Sequence, residues 1–146
     1  MIPCIIVDID GCLANCEHRL HFIKQTPKDW KSFHSLVLQD TVNQWCADLV
    51  RRYFEAGVYV FLVSGRTSES MDDSWNWLIG HRIPFHKMIF RKPGDYRDDD
   101  ITKREAYEEH VRGLYDVLFA IDDRNRVVKM WREQGIVCLQ CAEGNF

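Results

Sequence analysis

The sequence has no long hydrophobic run, no large excess of either charge and no repetitive or low-complexity segment. No apolar stretch among its 146 residues is long enough to cross a bilayer, so we expect no membrane partner. The amino terminus lacks the basic-then-apolar layout of a secretory signal, because aspartates interrupt its apolar run, and a cytoplasmic protein is therefore expected. The net charge of −3 neither indicates nor excludes nucleic-acid binding, since a local basic surface is enough for backbone contacts.

The composition is that of an ordinary globular chain, with 46% apolar and 28% charged residues. A chain of this length predicts one domain over residues 1–146, with room for a substantial core. Six cysteines are present, and in a chain of this size without an export signal we expect them to be reduced. Cys138 and Cys141 have the spacing of a redox motif, but they lie in a predicted strand, where the two thiols tend to face opposite ways.

Short apolar runs alternate with helical periodicities along the whole chain. The apolar runs predict strands at 4–9, 58–63, 86–90, 117–122 and 136–140. The helical spacing of apolar side chains predicts helices at 41–55, 68–80, 100–112 and 123–134. This alternation predicts an α/β fold, a Rossmann-like three-layer sandwich around a central parallel sheet of about five strands.

Finer predictions concern the helices and one long connection. Asp40 is expected to cap the helix at 41–55, and Trp75 and Ile79 are expected to face the core from the helix at 68–80. Residues 14–36 form a connection that is too long for a plain turn and that mixes basic with aromatic side chains. We interpret this segment as a flap, or small cap, over the strand ends, with a short helix at 27–36.

The motif Asp8-Ile9-Asp10-Gly11 stands at the end of the first predicted strand. Two carboxylates two residues apart on a strand point to the same side of the sheet. At that separation they repel each other unless a cation or a proton lies between them. The carboxyl ends of strands are also where open α/β sheets bind their ligands, so this pair is the first candidate for a functional site.

The other predicted strands also end in polar residues. Ser64-Gly65-Arg66 follows the second strand, and a hydroxyl, exposed backbone N–H groups and a guanidinium suit a phosphate. Asp122-Asp123 follows the fourth strand, and Lys103 lies in the helix that precedes it. So many carboxylates in one crevice require a cation, and hard oxygen ligands favour Mg²⁺ over zinc.

Taken in order, these motifs resemble the four motifs of the haloacid dehalogenase superfamily: Asp8-Ile9-Asp10-Gly11, Ser64-Gly65-Arg66, Lys103 and Asp122-Asp123. A closer similarity is to the 3′-phosphatase domain of phage polynucleotide kinase/phosphatase, which removes phosphate from the 3′ ends of DNA and RNA. It is carried by residues 63–66, 98–105, 120–124, 127–132 and 144–146.

The resemblance implies a set of roles. Asp8 would attack phosphorus, and Asp10 would act as the acid and then the base. Mg²⁺ would be held by Asp8, the main-chain carbonyl of Asp10, and the pair Asp122 and Asp123. The residues that would bind phosphate or substrate are Ser64, Gly65, Arg66, Lys103, Arg19 and Asp99.

The expected function is thus a Mg²⁺-dependent phosphomonoesterase that acts on 3′-phosphorylated DNA or RNA ends, in the host cytoplasm if phage-encoded. The sequence contains no GxxxxGK[ST] loop, so we expect a phosphatase without a kinase half, which leaves room for a separate kinase or ligase partner. Cys12 also stands where the superfamily usually has threonine. Two other functions stay open, a phosphatase of free nucleotides or other small phosphomonoesters and a non-enzymatic nucleic-acid adaptor.

Structural interpretations of the same residues also stay open. Asp122-Asp123 and Ser64 could cap the helices that follow them. Arg19 and Arg66 could form structural ion pairs instead of contacting a substrate. In the flap, Trp30 and Phe22 are the aromatic side chains that could stack on a base.

Overall fold

Five parallel strands form the central sheet in the computed structural model, which describes residues 1–146. The strands in chain order are β1 (Ile2–Val7), β2 (Ala14–Asn15), β3 (Thr41–Val42), β4 (Tyr59–Thr67), β5 (Lys87–Arg91), β6 (Tyr115–Asp122) and β7 (Cys138–Gln140). The main sheet has the order β5-β4-β1-β6-β7, and β2 pairs with β3 in a separate antiparallel ribbon. At the carboxyl end of β1, Val7 is in register with Leu62 of β4 and Ile121 of β6. This register brings the polar ends of three strands side by side.

Helices cover both faces of this sheet. They are α1 (His21–Lys24), α2 (Trp30–Ser35), α3 (Gln44–Glu55), α4 (Met71–Gly80), α5 (Asp99–His110) and α6 (Asn125–Glu133). Alternate residues of β1 face opposite sides, as in any strand. Ile5 and Val7 belong to one apolar core with residues of α3 and α4, whereas Cys4 and Ile6 belong to a second core with residues of α6. The predicted three-layer α/β fold with five parallel strands is therefore confirmed.

The predicted start of the helix at 41–55 was wrong. Thr41 and Val42 form β3, which pairs with β2, and α3 begins only at Gln44. Asp40 does not cap this helix, because its carboxylate is buried and pairs with the guanidinium groups of Arg19 and Arg66. Helical periodicity at 41–42 could not reveal a pairing with residues that lie about thirty positions earlier in the chain.

The predicted inward face of α4 was also partly wrong. Trp75 and Ile79 are 50% and 55% exposed, whereas Trp77 and Leu78 are buried. The indole N–H of Trp77 donates to the carbonyl of Asp40 at 2.9 Å, which anchors this face of the helix. Trp75 instead packs edge-on against Phe85 near the surface.

The flap at 14–36 contains β2, a short 3₁₀ turn, α1 and α2. Its predicted helix at 27–36 corresponds to α2 at Trp30–Ser35. Flap residues line one open cleft together with Asp8, Asp10 and the other polar strand ends. No helix combines the length and the apolar character that a membrane span requires.

Candidate active site

Asp8 is the buried carboxylate at the end of β1. Its Oδ1 accepts the N–H of Ile9 at 2.8 Å and lies 3.1 Å from the Nζ of Lys103. Lys103 projects from α5 and also donates to Oδ2 of Asp122 at 2.8 Å. One buried ammonium thus bridges the carboxylates at the ends of the neighbouring strands β1 and β6.

This cluster carries more negative than positive charge. Burial raises the pKa of Asp8 well above its usual range, Lys103 opposes that rise, and the neighbouring aspartates add to it. Burial would lower the pKa of Lys103, but Asp122 and Asp8 outweigh burial and raise it, so the ammonium stays charged. Burial and the charge of Asp122 raise the pKa of Asp123 to about 6. A divalent cation would relieve both raised carboxylate pKa values.

Two of these carboxylates are free to bind such a cation. Oxygens of Asp8 and Asp123 and the sulfur of Cys12 lie within 4.8 Å of one another. Asp122 is less available, because its Oδ1 accepts the N–H groups of Asp123 and Arg124 and its Oδ2 accepts Lys103. Gly11, with φ +82°, has no side chain where a Cβ would collide with the carboxylate of Asp123. The carboxylate oxygens of Asp8 and Asp123 therefore fit a hard cation such as Mg²⁺, whereas the sulfur of Cys12 is a soft donor that such a cation does not favour.

Asp10 is held by two arginines. The Nη2 atoms of Arg19 and Arg66 each donate to its Oδ1 at 2.6 Å, and the Nε of Arg66 donates to its Oδ2 at 3.2 Å. Burial alone would raise the pKa of Asp10, but the ion pairs with Arg66 and Arg19 outweigh burial and hold it well below its usual range. Asp10 is therefore ionised in the substrate-free protein.

Asp40 is the residue of this site that sequence reasoning missed. Its carboxylate accepts the Nε and Nη2 of Arg19 at 2.8 and 2.6 Å, and lies 3.5 Å from the Nη2 of Arg66 and 2.7 Å from the ring of His18. The side chain is fully buried. Asp40 follows a second 3₁₀ turn at Val37–Gln39 and belongs to no motif, so no sequence signal marked it as a site residue.

Ser64, Gly65 and Asp99 meet near the carboxyl end of β4, which runs to Thr67. The hydroxyl of Ser64 is buried and accepts the N–H of Arg66 at 3.1 Å. A Cβ on Gly65 would lie 2.6 Å from Oδ1 of Asp99, so Asp99 at the start of α5 packs directly on this backbone. Asp99 in turn accepts hydrogen bonds from Arg91 and Arg124.

The structure thus brings the sequence-predicted residues to one edge of the sheet, in three groups. One group holds Asp8, Lys103 and the pair 122–123, a second holds Asp10 with the two arginines, and a third holds Ser64, Gly65 and Asp99. The donors of Arg19 and Arg66 are engaged by carboxylates, Ser74 and the carbonyl of Phe33, so both arginines have the structural ion pairs that the sequence left open. Their predicted role in substrate binding stays a prediction.

Comparison with known proteins identifies the family. The family described as the polynucleotide kinase PNKP phosphatase domain matches residues 2–146. A curated relative, a putative bifunctional polynucleotide kinase/RNA ligase of Autographa californica nuclear polyhedrosis virus, is 26% identical over 133 residues, which cover 88% of this chain and 18% of the relative.

Solved structures show the same fold. A chain of the Pnkp1/Rnl/Hen1 complex superposes with a TM-score of 0.87 at 31% identity, covering 100% of this chain and 48% of that one. D,D-heptose 1,7-bisphosphate phosphatase from B. bronchiseptica, solved with magnesium and phosphate, superposes with a TM-score of 0.62 at 14% identity, covering 96% of this chain and 80% of that one. This chain spans about half the length of the Pnkp1/Rnl/Hen1 chain and less than a fifth of the length of the viral relative. It belongs to the family of polynucleotide kinase PNKP phosphatase domains and is a phosphoric monoester hydrolase with the haloacid dehalogenase fold.

Proposed function

We propose that residues 1–146 act as one Mg²⁺-dependent phosphatase domain that removes 3′-phosphates from nucleic-acid ends through an aspartyl-phosphate. The observation that carries this proposal is the position of the buried carboxylate of Asp8. It lies beside the ammonium of Lys103 and close to the carboxylate of Asp123, with which it could share a cation. Such a carboxylate can attack phosphorus only if the charge of the incoming phosphate is neutralised.

In the proposed first step, an oxygen of Asp8 attacks phosphorus while the bond from phosphorus to the sugar oxygen breaks. Lys103 and the hydroxyl of Ser64 stabilise the non-bridging phosphate oxygens, and Lys103 already lies 3.1 Å from the attacking residue. Bound Mg²⁺ would supply further positive charge for those oxygens. Asp8 and Asp123 are the side chains that would hold it, with the main-chain carbonyl of Asp10, and Asp122 would position Lys103 and its neighbours.

Asp10 is the proposed proton carrier for the leaving sugar oxygen. In the substrate-free protein the two arginines keep it ionised, so it needs a proton before it can donate one. We propose that the entering phosphate dianion competes for the guanidinium donors, weakens their hold on Asp10 and thereby raises its pKa. The Oδ2 atom, which accepts only one long hydrogen bond, is the oxygen suited to carry the proton. In the second step Asp10 takes a proton from the water that cleaves the aspartyl-phosphate.

A nucleic-acid end is the proposed substrate because the cleft is open and partly basic at its rim. The cleft that contains Asp8 is also lined by Lys28 and Trp30 of the flap, and by Arg97 and Arg126 of later segments. Trp30 is 44% exposed and could stack on a base. Arg126 pairs with the carboxylate of Asp98 at 3.0 Å, and we propose that a backbone phosphate replaces this carboxylate. The relatives are named for polynucleotide kinase and RNA-repair activities, which supports a polymer substrate. A separate kinase or ligase partner is proposed on the same ground.

Substitution of Asp8 by Asn tests the mechanism. We expect Asp8→Asn to lower turnover of a 3′-phosphorylated oligonucleotide by roughly 10⁴-fold or more, because the amide cannot act as the nucleophile. Asp116→Asn is the matched control, since Asp116 is exposed at the opposite end of the sheet, in register with Pro3, and should leave turnover unchanged. Unchanged turnover in Asp8→Asn, or full activity in excess chelator, would contradict the mechanism.

A substrate panel tests the specificity separately. The panel compares 3′-phosphorylated and 5′-phosphorylated DNA and RNA with a 3′-mononucleotide at equal concentrations. We expect the 3′-phosphorylated oligonucleotides to be the best substrates. A much faster reaction with the mononucleotide would favour a phosphatase of small phosphomonoesters, and binding of oligonucleotides without hydrolysis of any substrate would favour an adaptor.

A further inference from the structure

Cys12 and Cys141 form a thiol pair beside the acidic cluster. Their sulfur atoms are 3.3 Å apart, although the residues are 129 positions apart in the chain. The sulfur of Cys141 also donates to the carbonyl of Gly11 at 3.5 Å, and its backbone N–H donates to the carbonyl of Asp122. The pair thus joins the turn after β1 to the segment after β7, next to the carboxylates that the proposed function uses.

The CxxC spacing misleads about which cysteines are partners. Cys138 is buried in the core on one face of the sheet, whereas Cys141 packs against the core on the other face. This arrangement follows from the alternation of side chains along an extended segment. The sulfur of Cys141 therefore contacts the sulfur of Cys12 and not that of Cys138.

The two sulfurs differ in access. Cys12 is completely buried, whereas Cys141 is half-buried and lines the open cleft. A small oxidant in the cleft can reach Cys141 first, and the buried sulfur is already in place to attack the oxidised one. This is the arrangement of an accessible thiol beside a resolving thiol.

We propose that Cys12 and Cys141 form a reversible disulfide in the presence of hydrogen peroxide, and that this cross-link inactivates the site. Cys141 sulfur attacks one peroxide oxygen, the O–O bond breaks, and a sulfenic acid and one water form. Cys12 sulfur then attacks the sulfenic sulfur, the S–S bond forms and a second water leaves. Two thiols and one peroxide thus give one disulfide and two waters, and a dithiol reductant restores the thiols.

The cross-link acts on catalysis through the turn at 9–12. A disulfide holds its sulfurs about 2.05 Å apart, so the pair must close by more than about 1 Å from its separation in the reduced protein. Cys12 N–H is hydrogen-bonded to the carbonyl of Ile9, and Gly11 N–H to the carbonyl of Ala14, so a shift of Cys12 is passed to the turn that carries Asp10. A misplacement of about 1 Å in a catalytic group can cost on the order of 10²-fold in rate.

The experiment treats the Mg²⁺-loaded protein with hydrogen peroxide, blocks free thiols with an alkylating agent, and digests it without reduction. We expect a peptide pair joined through Cys12 and Cys141, and a fall in phosphatase activity of about tenfold or more that dithiothreitol reverses. Cys141→Ser should lose both the joined peptides and the inactivation while keeping its activity before treatment. Cys138→Ala is the matched control, since it removes the CxxC pair and should keep the cross-link.

Several outcomes would overturn the proposal. They are oxidation without the joined peptides, a cross-link that Cys138→Ala abolishes, or a complete cross-link that leaves activity unchanged. The effect on activity rests on the proposed phosphatase function, but the joined peptides do not. A protein that is inactive on every phosphomonoester yet forms the Cys12–Cys141 peptide pair would refute the proposed function while supporting the thiol pair as a site of oxidation.

Discussion

Replacement of Asp40 by Asn is the most informative perturbation of this site. The Asp40 carboxylate is fully buried. It contacts the guanidinium groups of Arg19 and Arg66 and the imidazole ring of His18. An amide of the same shape keeps one acceptor oxygen but presents an NH₂ donor toward guanidinium donors. Asp40→Asn therefore removes a negative charge and creates a donor–donor contact without creating a cavity.

The expected loss of stability in Asp40→Asn follows from the burial of the arginines that pair with Asp40. Removal of one partner from a buried ion pair typically costs about 3–5 kcal/mol, because a buried charge is left uncompensated. Arg19 keeps its bonds to Asp10 and to the carbonyl of Phe33, which offset part of this loss. We therefore expect the free energy of unfolding to fall by about 3 kcal/mol. Because Arg19 and Arg66 also hold Asp10, we expect kcat to fall by roughly 10–100-fold with a smaller change in KM.

Urea denaturation followed by circular dichroism measures the first effect, and turnover of a 3′-phosphorylated oligonucleotide measures the second. Asp48→Asn is the matched control, since Asp48 is largely exposed and pairs only with Arg51 within one helix. It should change stability by less than about 0.5 kcal/mol and leave kcat unchanged. If Asp40→Asn is as stable and as active as Asp48→Asn, Asp40 does not hold the arginines in solution and the reasoning fails.

Two further predictions concern the cation and the backbone of the site. Asp123 has a pKa of about 6 against an ordinary 3.8, so in the metal-free protein its carboxyl group binds a proton more tightly when the chain is folded. Its contribution to the free energy of unfolding therefore falls by about 3 kcal/mol as the pH rises from 3.8 to about 6. Mg²⁺ should therefore raise the melting temperature more at pH 7 than at pH 5, and a gain that is equal at both values would contradict a cation on this carboxylate. Gly65→Ala should displace Asp99 and lower kcat about tenfold, because its Cβ would lie 2.6 Å from that carboxylate. Gly80→Ala, where nothing lies within 4 Å, should leave kcat unchanged, and equal kinetics of the two variants would show that the contact has no role.

Local sequence patterns predicted the order of the elements and the edge of the sheet at which polar residues collect. Alternating apolar runs and helical periods are local properties, so the five parallel strands could be predicted within a few residues of their ends. Asp8, Ser64 and Asp122 each follow an apolar run directly, and parallel strands place such positions side by side. The errors at 41–43 and on α4 arose where distant segments decided the local structure, through the β2–β3 pairing and through the bond from Trp77 to Asp40.

Which charges and which sulfurs meet depends on the packing of segments that are distant in the chain. Three contacts depend on residues far apart in the chain. Asp40 holds both arginines, Asp122 is engaged by Lys103 while Asp123 lies close to Asp8, and Cys141 pairs with Cys12. Side-chain type and spacing carry no information about such contacts, because the packing of the sheet, the flap and the last segment sets the separations. The acidic motif at β1 thus indicated that a cation or a proton was required, and the packing around it determined which groups share its charge.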